Sequence, residues 1–139
     1  MSQENVEVVR RIVEAFRAGV ESGDFASVWD SGAVADDVEW VSAPNFIEQR
    51  RFRGQEGLVE FVRQWTEDFE EYSIHFERLV DAGEDRVLGF FAESATGKGS
   101  GATVEQRFFV IFDMRDAQLV RTRFYLERDE ALEAAGLRE

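Results

Sequence analysis

The sequence predicts an α+β domain in which helices, gathered in the first half, and an antiparallel sheet in the second enclose a largely apolar pocket. Apolar residues recur at helical spacing as far as Phe69, and from Tyr72 onward the period changes to two. The chain also holds thirteen Phe and three Trp, far too much sticky surface to stay unfolded.

The first helix carries Val6, Val9, Ile12, Val13, Phe16 and Val20 on one face, with Glu and Arg on the other, and stops at Ser22-Gly23-Asp24. Asp24 is placed to cap a shorter helix bearing Phe25, Val28 and Trp29, which Ser31-Gly32 and Asp36-Asp37 bring to an end. Val38 to Ser42 reads as a short strand. Ala43 to Arg53, with the single proline Pro44 and the basic run Arg50, Arg51 and Arg53, reads as a loop. Gly54 then heads a third helix with the stripe Leu58, Phe61, Val62, Trp65 and Phe69.

Four strands follow, near 72–81, 85–96, 102–114 and 118–127. Their connections are short, so neighbours are expected to pair as antiparallel hairpins. Asp129 to Ala135 forms a last helix with Gly136 as its C′ residue. No repeat or linker interrupts this order, and residues 1–139 are read as one domain, a length at which a single core suffices.

Charge and composition exclude several functions. A formal net charge of −13 repels phosphate backbones and anionic membrane surfaces, so neither nucleic acid nor membrane is expected as a partner. The N-terminus shows no basic region followed by an apolar stretch, so a cytoplasmic location is the expectation. With no Cys and His75 as the single histidine, thiolate chemistry and a histidine-rich metal site are not expected. The glycines of 97–101 lie in a hairpin loop, not at the head of a helix, so they do not form a phosphate cradle. No metal or organic cofactor is predicted.

The order helix, helix, short strand, Gly-headed helix and four-strand meander, with Ala35-Asp36-Asp37-Val38-Glu39-Trp40 after the second helix, resembles the SnoaL-like group of the nuclear transport factor two superfamily. The closing Tyr125-Leu126-Glu127-Arg128-Asp129-Glu130-Ala131-Leu132-Glu133-Ala134-Ala135-Gly136-Leu137 looks like that group too. The resemblance covers essentially the whole chain. It implies a cone-shaped α+β barrel, with three N-terminal helices packed on the concave face of a curved, mostly antiparallel sheet around a small-molecule cavity. The superfamily includes polyketide cyclases, ketosteroid isomerases, epoxide hydrolases and non-catalytic binding domains, so fold alone does not select a function.

The family's catalytic patterns are largely missing. Where ketosteroid isomerases carry an oxyanion-binding Tyr the resemblance places Phe16; their general-base Asp falls near Ser42, and their protonated Asp falls on Phe109. In the pattern of limonene-type epoxide hydrolases Glu93 supplies an acid, but the neighbouring Arg position holds Phe91 and the second Asp position holds Phe124.

A hairpin turning about the middle of 97–101 sets Glu93 opposite or diagonal to Arg107, and Phe91 beside Phe109. The next hairpin, centred near Asp116, brings Arg107 beside Phe124 and Phe109 beside Thr122. One face then carries Phe91, Glu93, Glu105, Arg107, Phe109, Ile111, Thr122, Phe124 and Leu126, and is taken as pocket-facing because Phe109 falls on the family's pocket position. The other, with Phe90, Phe108, Val110, Phe112 and Tyr125, is too apolar for water. Helices that cover only one face would leave it bare, which predicts a sheet-to-sheet homodimer.

Candidate catalytic residues are therefore Glu93, Arg107 and His75. Glu93 and Arg107 form either a structural ion pair or an acid/base group with a cation that holds an enolate or carboxylate oxygen. His75 is a strand residue whose titration range suits proton transfer, or a rim residue. Candidate ligand-binding residues are Phe16, Trp29, Trp40, Trp65, Phe91, Phe109 and Phe124; the three tryptophans also read as core packing. The partner expected is a small hydrophobic or aromatic molecule. It is either acted on by a cofactor-free cyclase, isomerase or hydrolase or held by a non-catalytic dimeric module; an unpaired Glu93 favours the first, and a fully satisfied Glu93–Arg107 pair favours the second or a merely structural role.

Overall fold

The computed structural model describes residues 2–30, 32–42, 51–67, 69–83 and 85–137. Helix α1 (Ser2–Ser22) and the short α2 (Ala26–Asp30) come first. Asp24 Oδ1 accepts the Ala26 N–H at 3.0 Å, so the aspartate at the turn starts α2. Strand β1 (Val34–Val41) and the three-residue β2 (Arg51–Arg53) precede α3 (Gly54–Thr66). The long strands β3 (Phe69–Gly83), β4 (Arg86–Gly97), β5 (Thr103–Arg115) and β6 (Gln118–Tyr125) lead into α4 (Arg128–Ala135).

The six strands lie in the order β2-β1-β6-β5-β4-β3. Only β1 and β6 run parallel; the other neighbours are antiparallel. This corrects the expected barrel. Among the described residues β2 and β3 end the order and do not pair with each other, so the sheet is open. Nor do three helices precede it: α1 and α2 do, whereas α3 follows β1 and β2. The apolar stripe of α3 shows a helix that packs on the sheet, but periodicity carries no information about which strands pair before it.

Element boundaries differ for local reasons. β1 starts at Val34, so Asp36 and Asp37 do not end a helix; they sit in the strand, exposed, while Val34, Ala35 and Val38 are buried. Arg51 to Arg53, expected in a loop, pairs with β1 through Trp40↔Phe52. Pro44 and Arg50 lie outside the described residues. Phe69, expected on the third helix, opens β3.

Gly54 joins β2 to α3 with φ of +70°, which a Cβ would strain, and its carbonyl accepts the Trp40 indole N–H at 3.1 Å. At the other end Gly136 takes φ of +77° and donates to Glu133 O, while Leu137 N–H reaches Leu132 O, closing α4 in the way its sequence predicts.

The β4–β5 register departs from expectation by one residue. Thr96 pairs with Thr103, their hydroxyls 3.1 Å apart, and Gly97 N–H bonds Ala102 O, so the loop is even and turns between Gly99 and Ser100. Phe91 therefore faces Phe108 and Glu93 faces Gln106, while Arg107 falls opposite Ala92 and Phe109 opposite Phe90. A one-residue slip moves every side chain of β5 to the other face. Asp116 and Ala117 form the tight β5–β6 turn, both at positive φ, and a bulge lies between Asp113 and Met114. Val110 then pairs with Phe124, and Phe112 with Thr122. Both register changes are odd, so their effects on facing cancel across β6 and Thr122 and Phe124 stay on the side of Phe91.

Two apolar layers result. On the inner face Phe91, Phe108, Val110 and Phe112 pack with Val9, Ile12 and Val13 of α1, Val28 of α2 and Leu58 and Phe61 of α3. On the outer face Leu88, Phe90, Phe109, Ile111 and Tyr125 pack with Ala131, Leu132 and Ala135 of α4. The helices thus cover both faces, and the reason given for a second subunit does not hold where α4 lies. Among the described residues no helix is long and apolar enough to cross a membrane.

Candidate functional site

A cavity of about 50 Å³ lies between α1, α2 and the inner face of the sheet, walled by Ile12, Phe16, Trp40, Phe91, Phe112 and Phe124 among others. A second, of about 30 Å³, lies toward α3 and β3 and shares Phe16, Ile74, Phe108 and Phe124 with the first. Those shared side chains stand between the two spaces. The walls are aromatic because β4 and β5 place Phe91 and Phe108 face to face, centroids 5.1 Å apart, and Phe124 of β6 packs against Phe61 at 4.8 Å.

Two polar side chains border the larger cavity without using their polar atoms elsewhere. Thr122 is 1% exposed, and its Oγ1 has no hydrogen-bond partner. Arg17, itself exposed, borders the same space and makes no ion pair among the described residues. Trp40 also lines it, but its indole N–H is committed to Gly54 O.

Glu93 lies beyond this cavity. It is 5% exposed, and its carboxylate accepts three hydrogen bonds: Oε1 from Trp65 Nε1 at 2.9 Å and from the Tyr72 hydroxyl at 2.5 Å, and Oε2 from Gln106 Nε2 at 2.5 Å. Burial, followed by the adjacent Glu93 charge, holds the Tyr72 hydroxyl well above the ordinary tyrosine range, so it remains a proton donor to the carboxylate. Trp65 lines both the smaller cavity and a surface groove of about 310 Å³, whose lining also includes Glu93.

The predicted residues separate accordingly. Phe16, Trp40, Phe91 and Phe124 line the larger cavity, and Trp65 the smaller. Trp29 packs edge-on against Trp40 at 6.4 Å with its own N–H unpartnered, and it lines another groove, with residues of α2 and α3. Phe109 is buried in the outer layer. Arg107 does not meet Glu93; it is exposed on the outer face, 3.4 Å from Glu77. His75 is exposed opposite Ala92, while its neighbour Ile74 points inward opposite Glu93.

Thr122, Phe108, Phe112, Tyr72 and Gln106 were not among the candidates. The alternation Gln106, Phe108, Val110, Phe112 was legible as one face of β5, but its side depended on register. Tyr72 carries a weaker signal, as an aromatic residue at period two from the inward Ile74.

The model of the SnoaL-like domain matches residues 9–122. The chain belongs to that family. Solved structures share the fold of this SnoaL-like domain at low identity. TerC, co-crystallised with polyporic acid, is 19% identical over 96% of this chain and 98% of its own, with a TM-score of 0.69. A putative SnoaL-like polyketide cyclase from Jannaschia sp. CCS1 is 19% identical over 99% of this chain and 95% of its own, with a TM-score of 0.71. An NTF2-like protein from Anabaena variabilis ATCC 29413 is 22% identical over 93% and 94%, with a TM-score of 0.70. No curated protein matches the chain.

Proposed function

We propose that this SnoaL-like domain binds a small, largely apolar or aromatic molecule in its inner cavity, with the Thr122 hydroxyl as the polar handle. The observation that carries this reading is the unpartnered Thr122 Oγ1, buried in an aromatic wall. Buried polar atoms are ordinarily satisfied, and an apolar cavity with a few convergent polar groups is the usual form of a ligand site. The co-crystal of TerC with polyporic acid, on the same fold, supports the reading.

Volume limits the guest. A cavity of about 50 Å³ holds only a few heavy atoms, well below the roughly 300–1,000 Å³ of drug-sized pockets. A ring-sized guest requires the Phe16, Phe108 and Phe124 side chains to turn and join the two spaces.

Binding without turnover fits the geometry better than a cofactor-free cyclase, isomerase or hydrolase. Acid/base catalysis needs a titratable group within reach of the guest. Glu93 accepts hydrogen bonds from three neutral donors and lines neither of the two inner cavities.

The test is titration of the labelled protein with phenol and toluene, followed by methyl and aromatic NMR shifts. Phenol should perturb Ile12, Val28 and Val110 and bind more tightly than toluene, and Thr122→Val should abolish that preference. Equal binding in the unmodified protein, or shifts confined to the surface, would overturn the proposal.

A further inference from the structure

The groove that Trp65 borders differs chemically from the cavity. It measures about 310 Å³, at the lower end of ordinary ligand pockets, and its walls are Trp65, Phe69, Ala95, Val104 and Leu126, with the Glu93 carboxylate among them. Phe69 stacks on Tyr72, ring planes 19° apart, which extends the aromatic wall beside the carboxylate.

The Glu93 side chain is nearly buried and held by neutral groups alone: an indole, a phenol and an amide. Among the described residues no Lys, Arg or His lies within ion-pair distance of it, and Arg107 is on the opposite face with Glu77. A carboxylate offers about four acceptor positions; Oε1 uses two and Oε2 one. A buried charge without a counter-charge is costly. Among the described residues this carboxylate therefore has hydrogen bonds but no cationic partner.

We infer that this groove is a second binding site, for an organic cation: an alkylammonium or quaternary ammonium group whose charge faces Glu93 and whose carbon substituents rest on Trp65 and Phe69. Aromatic faces attract such cations, and the chain's net charge of −13 raises their local concentration. A bare divalent metal is a poor fit, because it takes several oxygen ligands and the groove offers one carboxylate. An anionic ligand would meet Glu93 directly.

The experiment compares benzyltrimethylammonium with neopentylbenzene, its neutral isostere, by tryptophan fluorescence and NMR titration of the full chain. The cation should bind at least about tenfold more tightly than the isostere. Glu93→Gln should remove that preference, and Phe69→Ala, at the groove wall, should weaken the cation about fivefold. Thr122→Val should leave cation affinity unchanged, which separates this site from the inner cavity. Equal affinity for the two probes in the unmodified protein overturns the inference. So does unchanged cation binding in a folded Glu93→Gln. If Glu93→Gln does not fold, the isostere comparison and Phe69→Ala decide alone, and an unaffected Phe69→Ala then counts against the site.

Discussion

Phe91 and Phe108 stack across the β4–β5 pair, their planes 10° from parallel, and this contact sets the back wall of the inner cavity. It exists because Gly89, two residues before Phe91, leaves room for the ring: a Cβ there would stand 2.6 Å from Phe91 Cε2 and 3.1 Å from Phe112 Cε2. Gly89→Ala should push Phe91 off its partner and lower stability by about 1–3 kcal/mol, the usual range for overpacking. Urea unfolding checks the loss, and a midpoint equal to the unmodified protein would show that the rings yield freely.

Thr122→Val is expected to act in the opposite direction. It replaces a buried hydroxyl that has no partner with a methyl group of similar shape, so the desolvation of the hydroxyl is no longer opposed to folding. A gain of about 1 kcal/mol in unfolding free energy is expected. Destabilisation would mean that the hydroxyl is satisfied in solution, for instance by an ordered water.

Tyr72 makes stability depend on alkaline pH. Its folded-state pKa is raised, first by burial and then by the Glu93 charge, whereas an unfolded tyrosine ionises near about 10. The folded chain keeps a proton that the unfolded chain releases, so this contribution is complete below about pH 10 and is lost as pH rises above it. Tyr72→Phe should be less stable at neutral pH, because Glu93 loses a donor, but should show a flatter decline above about pH 10. Parallel alkaline limbs for the two proteins would contradict the assignment.

The turn between β5 and β6 offers a stabilising change. Asp116 and Ala117 have φ of 51° and 61°, the left-handed conformation that two-residue hairpins demand and that Gly adopts at least cost. Ala117→Gly should raise stability by about 0.5–1 kcal/mol, since relief of strain exceeds the added freedom of the unfolded chain. Calorimetry would register this as a higher Tm; a lower one would show that the Ala methyl packs favourably.

Much of the secondary structure was legible because its causes are local. The stripe from Val6 to Val20, the Asp24 turn, the hairpins and the Gly136 terminus all act over a few residues. The inner face of β4 and β6, with Phe91, Glu93, Thr122 and Phe124, was also readable. The face of β5 was not, because it turned on whether one hairpin loop held an odd or even number of residues, and glycines at 97, 99 and 101 permit either. Arg107 and Phe109 were consequently expected inside, where Gln106 and Phe108 stand.

By itself, the sequence determined that apolar helices pack on a meander of strands, that the chain is strongly acidic, and that the interior is aromatic, since composition and periodicity report these directly. Only the tertiary structure decided that the sheet stays open, that α4 covers its outer face, and that Glu93 is held by Trp65, Tyr72 and Gln106 rather than by an arginine. These depend on strand order and register, which long-range packing selects among alternatives that satisfy the local pattern equally well.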